Sequence, residues 1–260
     1  MKKFLGIVLM AAAALPLIAS AQSAIDGTWR ADLKSISGSD KPSKYLVKDG
    51  VYQCETCTPA IKVPADGNEQ PLQGNPFFDA LAVKIVDDHT IELTSTRHGK
   101  VATQSKITIA PDGNSMTRQF TSNDAKGFTN TSTTKMTRVG PAPKGAHAIS
   151  GSWKLTAVDK MTDNGVVFKT ANGTVTMYAT DGSSYEAKLD GSKAAFKDSP
   201  GNTSVSVRMK DKDTFEETDW RGDKAWFVTT ITVAADRKTA NVTWENKLNS
   251  SHGSYKLNRQ

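Results

Sequence analysis

Apolar and polar residues alternate along most of this chain with a repeat of two. In "DALAVKIVDDHTIELTSTRHGKVATQSKITIAPDG" one face gathers Leu81, Val83, Ile85, Ile91, Leu93, Val101, Ile107 and Ile109. A later stretch does the same with Val205, Val207, Met209, Phe215, Ala225, Phe227, Ile231 and Val233. Side chains on a strand point alternately to opposite faces, so this period predicts strands with one buried face. Turn-forming pairs punctuate the runs at Asp49-Gly50, Asp112-Gly113, Asn164-Gly165, Asn172-Gly173 and Asp181-Gly182. Such pairs suit hairpins because both residues tolerate positive φ. Long amphipathic helical patterns are missing. A sheet of such strands must close on itself or find a partner sheet to hide its edges.

The two alternating stretches are copies of each other. "IDGTWR" at Ile25 returns as "ISGSWK" at Ile149, an offset of 124 residues. The same offset lays Val83–Phe120 on Val207–Trp244 without a gap, and 11 of those 38 positions are identical. Unrelated sequences of average composition would share about two or three. The chain is a tandem duplication, with "RVGPAPKGAHAIS" between its halves reading as a linker. The expected division is a leader at 1–21, a first barrel at 22–139, a linker at 140–148 and a second barrel at 149–260. Each unit is expected to hold about eight antiparallel strands, given its turn spacing.

Each unit opens with Gly-x-Trp, at Gly27-Thr28-Trp29 and Gly151-Ser152-Trp153, and ends with an arginine, Arg138 or Arg259. This combination resembles the lipocalins and the wider calycin group. The chain as a whole resembles exported bacterial proteins with the same pattern. The resemblance implies an all-β fold of two tandem up-and-down barrels. It also implies that the terminal arginine of each unit packs over the tryptophan that opens it. Such a cation–π contact is worth about 0.5–2 kcal/mol. "TDW" at Thr218–Trp220 faintly resembles a second lipocalin motif, whereas the first copy has Thr94-Ser95-Thr96 there.

Strict alternation places Trp220 and Trp226 outward, on either side of the turn Arg221-Gly222-Asp223, with Val228 extending the patch. Their first-copy counterparts are Thr96 and Ala102. An outward aromatic pair marks either the packing of one barrel on the other or a surface for a partner or ligand. The inward face near the same hairpin carries polar residues: Glu217, Asp219 and Thr229 beside Phe227, against Ser95, Thr103 and Ser105 in the first copy. These either face water at strand ends or orient a ligand inside a barrel mouth.

Cys54 and Cys57 lie in "YQCETCTPAIKVPADG". On a continuous strand their Cα atoms would stand about 10 Å apart, beyond the reach of a disulfide. A local disulfide therefore requires the strand to break, and Thr58-Pro59 supplies a place for that. Redox catalysis would call for a helix N-terminus beside the thiol, which this pattern lacks.

The first residues carry Lys2 and Lys3, an apolar run from Phe4 to Ile18 and a small-x-small site at Ala19-Ser20-Ala21, the pattern of a signal peptide. No later stretch is apolar for the roughly 20 residues a spanning helix needs. Without the leader, 31 basic residues face 27 acidic ones, a net +4 spread evenly over both halves. That distribution excludes a nucleic-acid footprint. The four histidines show no ligand spacing and no catalytic motif occurs, so no metal, cofactor or catalytic residue is expected. The sequence thus predicts an exported protein, periplasmic or extracellular, that binds a small hydrophobic ligand without catalysis. The candidate ligand-binding residues are Trp220, Trp226, Glu217, Asp219, Thr229 and Phe227. The competing expectation is a protein-interaction module, an inhibitor or envelope-assembly factor, working through Trp220 and Trp226.

Overall fold

The computed structural model describes residues 23–123, 129–162, 164–199, 201 and 203–260. The predicted leader at 1–21 lies outside them. The first half of the chain forms β1 (Gly27–Asp32), β2 (Ser43–Lys48), β3 (Val51–Cys54), β4 (Ile61–Pro64), β5 (Asp66–Pro71), β6 (Ala80–Asp87), β7 (Thr90–Arg97), β8 (Lys100–Ile109), β9 (Ser115–Asn123) and β10 (Thr129–Arg138). The second half forms β11 (Gly151–Met161), β12 (Gly165–Ala171), β13 (Thr174–Ala179), β14 (Ser184–Lys188), β15 (Asp190–Ala195), β16 (Ser204–Met209), β17 (Thr214–Arg221), β18 (Lys224–Val233), β19 (Thr239–Asn246) and β20 (Ser251–Arg259). Among the described residues the one helical piece is a 3-10 turn, Leu33–Ser35. No helix there is long and apolar enough to cross a membrane.

The fold is all-β, with two nearly closed antiparallel barrels of 10 strands each rather than about eight. The additional strands include β5 and β15, which are exposed along nearly their whole length. A strand that buries neither face shows no alternation, so the pattern passes over it. Each barrel is a meander with one seam, between β4 and β5 in one and between β14 and β15 in the other. The Ser184–Lys197 bridge lies beside the second seam.

The sheets do not follow the duplication. One contains β2 to β10 plus β11, and the other contains β12 to β20 plus β1. Each repeat has handed its first strand to its twin. β11 lies between β10 and β2, and β1 lies between β20 and β12. We call the β2–β11 sheet the first barrel and the other the second. The divisions at 139 and 149 mark the repeats, and the barrels cross them at the opening strands. Chain connectivity accounts for the exchange. The 12 residues between β10 and β11 allow those strands to pair as a hairpin. Closing so short a loop costs less entropy than a distant pairing. The near-identical edges of the repeats accept either opening strand, as in domain swapping. The exchange also corrects the expected hairpin at Asn164-Gly165, because the strands it joins belong to different barrels. By contrast, Asp49-Gly50 and Asn172-Gly173 do turn hairpins with both residues at positive φ.

The tryptophan–arginine latches form, with exchanged partners. The Arg259 guanidinium lies 4.1 Å from the Trp29 ring centre, and Arg138 lies 4.2 Å from that of Trp153. The resemblance had paired Trp29 with Arg138 and Trp153 with Arg259. Both indoles are fully buried, donating to Ile25 O at 2.7 Å and to Ile149 O at 2.8 Å. Arg138 donates to the carbonyls of Gly113, Ala148 and Ser150, and Arg259 to those of Arg237, Ala24 and Asp26. The glycine of each Gly-x-Trp takes positive φ, 126° at Gly27 and 131° at Gly151. A Cβ there would run into Nη1 of the latching arginine. The motif therefore encodes a bare backbone under a guanidinium as well as a ring to support it.

Above each latch the inward face is apolar, with Val83, Ile91, Ile107, Ile109 and Met116 in the first barrel and Val207, Phe215, Ile231, Val233 and Val242 in the second. Three members of the expected inward face depart from it. Val101 is 43% exposed, because a bulge leaves Ala102 unpaired between Thr96↔Val101 and Ser95↔Thr103 and so reverses the alternation. Ala225 is displaced by the equivalent bulge at Trp226. Ile85, at 38%, sits beside the irregular end of the β6–β7 ladder. Cys54 and Cys57 are joined, with Cα atoms 5.4 Å apart where β3 ends, so the strand does break there.

Candidate functional site

The open end of the second barrel collects most of the predicted binding residues. In the ladder between β17 and β18, Glu217 stands opposite Thr229 and Asp219 opposite Phe227, so all four side chains share the inward face. Three residues not singled out from the sequence complete the group. The Tyr185 hydroxyl donates to Glu217 Oε2. The Trp244 ring stacks on Phe227 at 5.4 Å and 17°. Tyr255 is close enough to Glu217 for its ionisation to respond to that charge. Trp244 was legible as the next inward position after Ala240 and Val242. Tyr185 gave less signal, because "SYEAK" has only two buried positions, Tyr185 and Ala187.

Burial governs the chemistry here. It raises the Glu217 carboxyl above the ordinary glutamate value, and the hydrogen bond from Tyr185 offsets part of that rise. Burial raises the Tyr185 phenol well above its usual range, helped by Glu217. Tyr255 is pushed up to about 12, again mainly by burial. Each group is therefore biased toward its neutral form. Yet Glu217, Asp219, Phe227, Thr229, Trp244 and Tyr255 all keep part of their surface accessible, while Phe215, Ile231, Val233 and Val242 deeper on the same wall are sealed. The wall is therefore accessible at this end and sealed below it.

Trp220 is not part of this group, and Trp226 touches only its edge, with its ring 5.9 Å from that of Phe227. Trp220 points outward under the Lys193 ammonium, 4.1 Å from the ring centre, and donates through Nε1 to Ser206 Oγ at 3.0 Å. Trp226 is the bulge residue. Its ring packs at 5.6 Å against Phe77 of the first barrel, with the Arg221 guanidinium 3.3 Å from its centre and 4.4 Å from that of Phe77. The expected aromatic patch is thus divided between a lysine and the inter-barrel contact. Phe77 and Gly201 are repeat counterparts, and a Cβ at Gly201 would collide with the Phe77 ring. At this contact one copy keeps its side chain and the other makes room.

In the first barrel, Leu93 and Ser95 replace Glu217 and Asp219, and Thr103 and Ser105 replace Phe227 and Thr229. Ser95 and Thr103 hydroxyls lie 2.6 Å apart. Arg118, in place of Val242, points inward. It donates to Ser105 Oγ from Nε at 3.2 Å and Nη2 at 3.0 Å, and lies 4.9 Å from the Phe120 ring centre. Two grooves also mark the molecule. One of about 400 Å³ follows outward Glu216, Val228, Thr230 and Glu245, and one of about 520 Å³ follows the β1–β12 junction. Both lie on outer walls, so the lumen groups, with their convergent polar atoms, are the stronger candidates.

Among the described residues no cluster of histidine, cysteine and carboxylate side chains could hold a metal ion. The chain has no match among protein-family profiles, curated proteins or solved structures.

Proposed function

We propose that this protein is an exported, non-catalytic binder of a small apolar molecule, built from two lipocalin-like barrels, with the open end of the second barrel as its site. The observation that carries this reading is Glu217, enclosed by the barrel wall yet retaining accessible surface beside Phe227, Trp244, Tyr255 and Thr229. Apolar and aromatic walls with a few convergent polar groups are what a small ligand requires. A carboxyl biased toward its neutral form can donate a hydrogen bond to a ligand acceptor as well as accept one. The leader pattern at 1–21 supports export.

The test is titration with a neutral lipophilic fluorophore, N-phenyl-1-naphthylamine, followed by its emission and by tryptophan quenching. The expected result is saturable binding that Thr229→Trp abolishes by filling the lumen and that Trp220→Ser leaves unchanged. Thr229→Phe serves as a milder obstruction, and the melting temperature of each variant reports its folding. Absence of saturable binding, or binding indifferent to both lumen substitutions, would contradict the proposal.

A further inference from the structure

Arg118 is a permanent cation on the inner wall of the first barrel. Among the described residues its two hydrogen bonds both go to the one oxygen of Ser105. Among the described residues no carboxylate pairs with it. The second barrel neutralises its own inward charge by holding Glu217 toward the protonated form. A guanidinium has no such escape, because it does not deprotonate in proteins. Arg118 is half-buried and keeps accessible surface, so the donors that Ser105 does not engage are open to water or to an anion.

A second observation points the same way. Tyr52 is 3% exposed and its hydroxyl makes no hydrogen bond among the described residues. It is near enough to Arg118 for that charge to oppose the rise that burial imposes on the phenol. The hydroxyl itself is not sealed, so it is open to a partner on the inner side of the wall. Ser95 and Thr103 add hydroxyls on the same face, while Leu93 and Phe120 supply apolar wall. A guanidinium forks onto a carboxylate better than onto a single hydroxyl.

From this juxtaposition we infer that the first barrel is a second binding site, selective for a small apolar molecule with a carboxylate head. Arg118 grips the head and Tyr52 donates to it, whereas the second barrel has Val242 in place of the cation. The duplicated barrels have therefore diverged in charge preference, one for an anionic head and one for a neutral ligand. This inference rests on the reading that the barrel interiors receive small molecules, and adds the chemistry of one of them.

The test uses three matched probes: 1-pyrenebutyric acid, its methyl ester and 1-pyrenebutylamine. Pyrene emission reports affinity, and backbone amide shifts in the NMR spectrum report location. The acid is expected to bind at least about tenfold tighter than the ester, one bidentate charged contact being worth at least that factor. Its shifts should fall on β7, β8 and β9 and spare β17, β18 and β19. Arg118→Gln should bring the acid down to the affinity of the ester without altering ester binding, which also shows that the variant folds. Tyr52→Phe should weaken the acid alone, and Arg118→Lys should restore part of the preference. Equal affinity of acid and ester, no binding of the acid, indifference to Arg118→Gln, or shifts in the second barrel would each overturn the inference. Failure of the neutral fluorophore in the second barrel would instead count against the parent reading.

Discussion

At their closed ends the two barrels are built from the same parts: a glycine at positive φ, a sealed indole donating to a carbonyl four residues back, and an arginine across the ring donating to three carbonyls. At their open ends they diverge. The first barrel has Leu93, Ser95, Thr103, Ser105 and Arg118 where the second has Glu217, Asp219, Phe227, Thr229 and Val242. Closure requires one geometry, so duplication left it intact. A lumen wall needs only to be lined, and its residues drifted apart, with Arg118 against Val242 and Leu93 against Glu217. The contrast separates what holds each sheet together from what lines its inner face.

The comparison breaks most readily at the latch. Trp153→Ala should cost about 3–5 kcal/mol, the usual range for deleting a buried large aromatic. The loss should fall on the first barrel, although Trp153 belongs to the second repeat. Amide hydrogen exchange should accelerate in β2–β10 and little in β12–β20, with Trp29→Ala giving the reverse. Removing the disulfide by Cys54→Ser with Cys57→Ser should cost about 2 kcal/mol, given so short a loop. That loss should again be confined to the first barrel, because Tyr178 and Asp181 are the counterparts in the second.

Phe77→Ala sharpens the comparison from the contact between the barrels. Losing the aromatic pairing with Trp226 should cost about 1 kcal/mol, read as separation of two calorimetric transitions. Gly201→Phe tests the same place from the other side, where the counterpart ring has no room.

The smallest effect concerns pH. Burial raises the Glu217 carboxyl, so the folded chain holds that proton more tightly than the unfolded chain. Stability from this group is present below the ordinary glutamate pKa and is lost as pH climbs through the raised folded value. Tyr185, Tyr255 and Asp219 face the same space. Glu217→Gln keeps the acceptor for Tyr185 and removes the titration. Denaturation midpoints between about pH 4 and about pH 8 should therefore fall less steeply in the variant.

Much of this was legible in the sequence. Alternation marked the sheets, and the Gly-x-Trp motifs with Arg138 and Arg259 marked the latches. The inward placement of Glu217, Asp219, Phe227 and Thr229 followed from the same period. Other features were hidden for physical reasons. A strand forms equivalent edge contacts with its own repeat or with the twin, so nothing in Trp29 or Trp153 says which arginine will cover it. Bulges at Ala102 and Trp226 shift the period by one residue without a local signature, which moved Val101 and Trp226 from their expected faces. Tyr52 and Tyr185 reach the lumen from the short strands β3 and β14, where a period of two has few residues in which to declare itself.

Strand exchange is the claim on which the barrel assignments depend, and backbone NOE contacts of β1 test it most directly. The account predicts cross-strand contacts of Ala31 with Leu257, together with Leu155 opposite Met136. Contacts of Ala31 with Met136 and of Leu155 with Leu257 would mean that each repeat closes on its own first strand, and would contradict it.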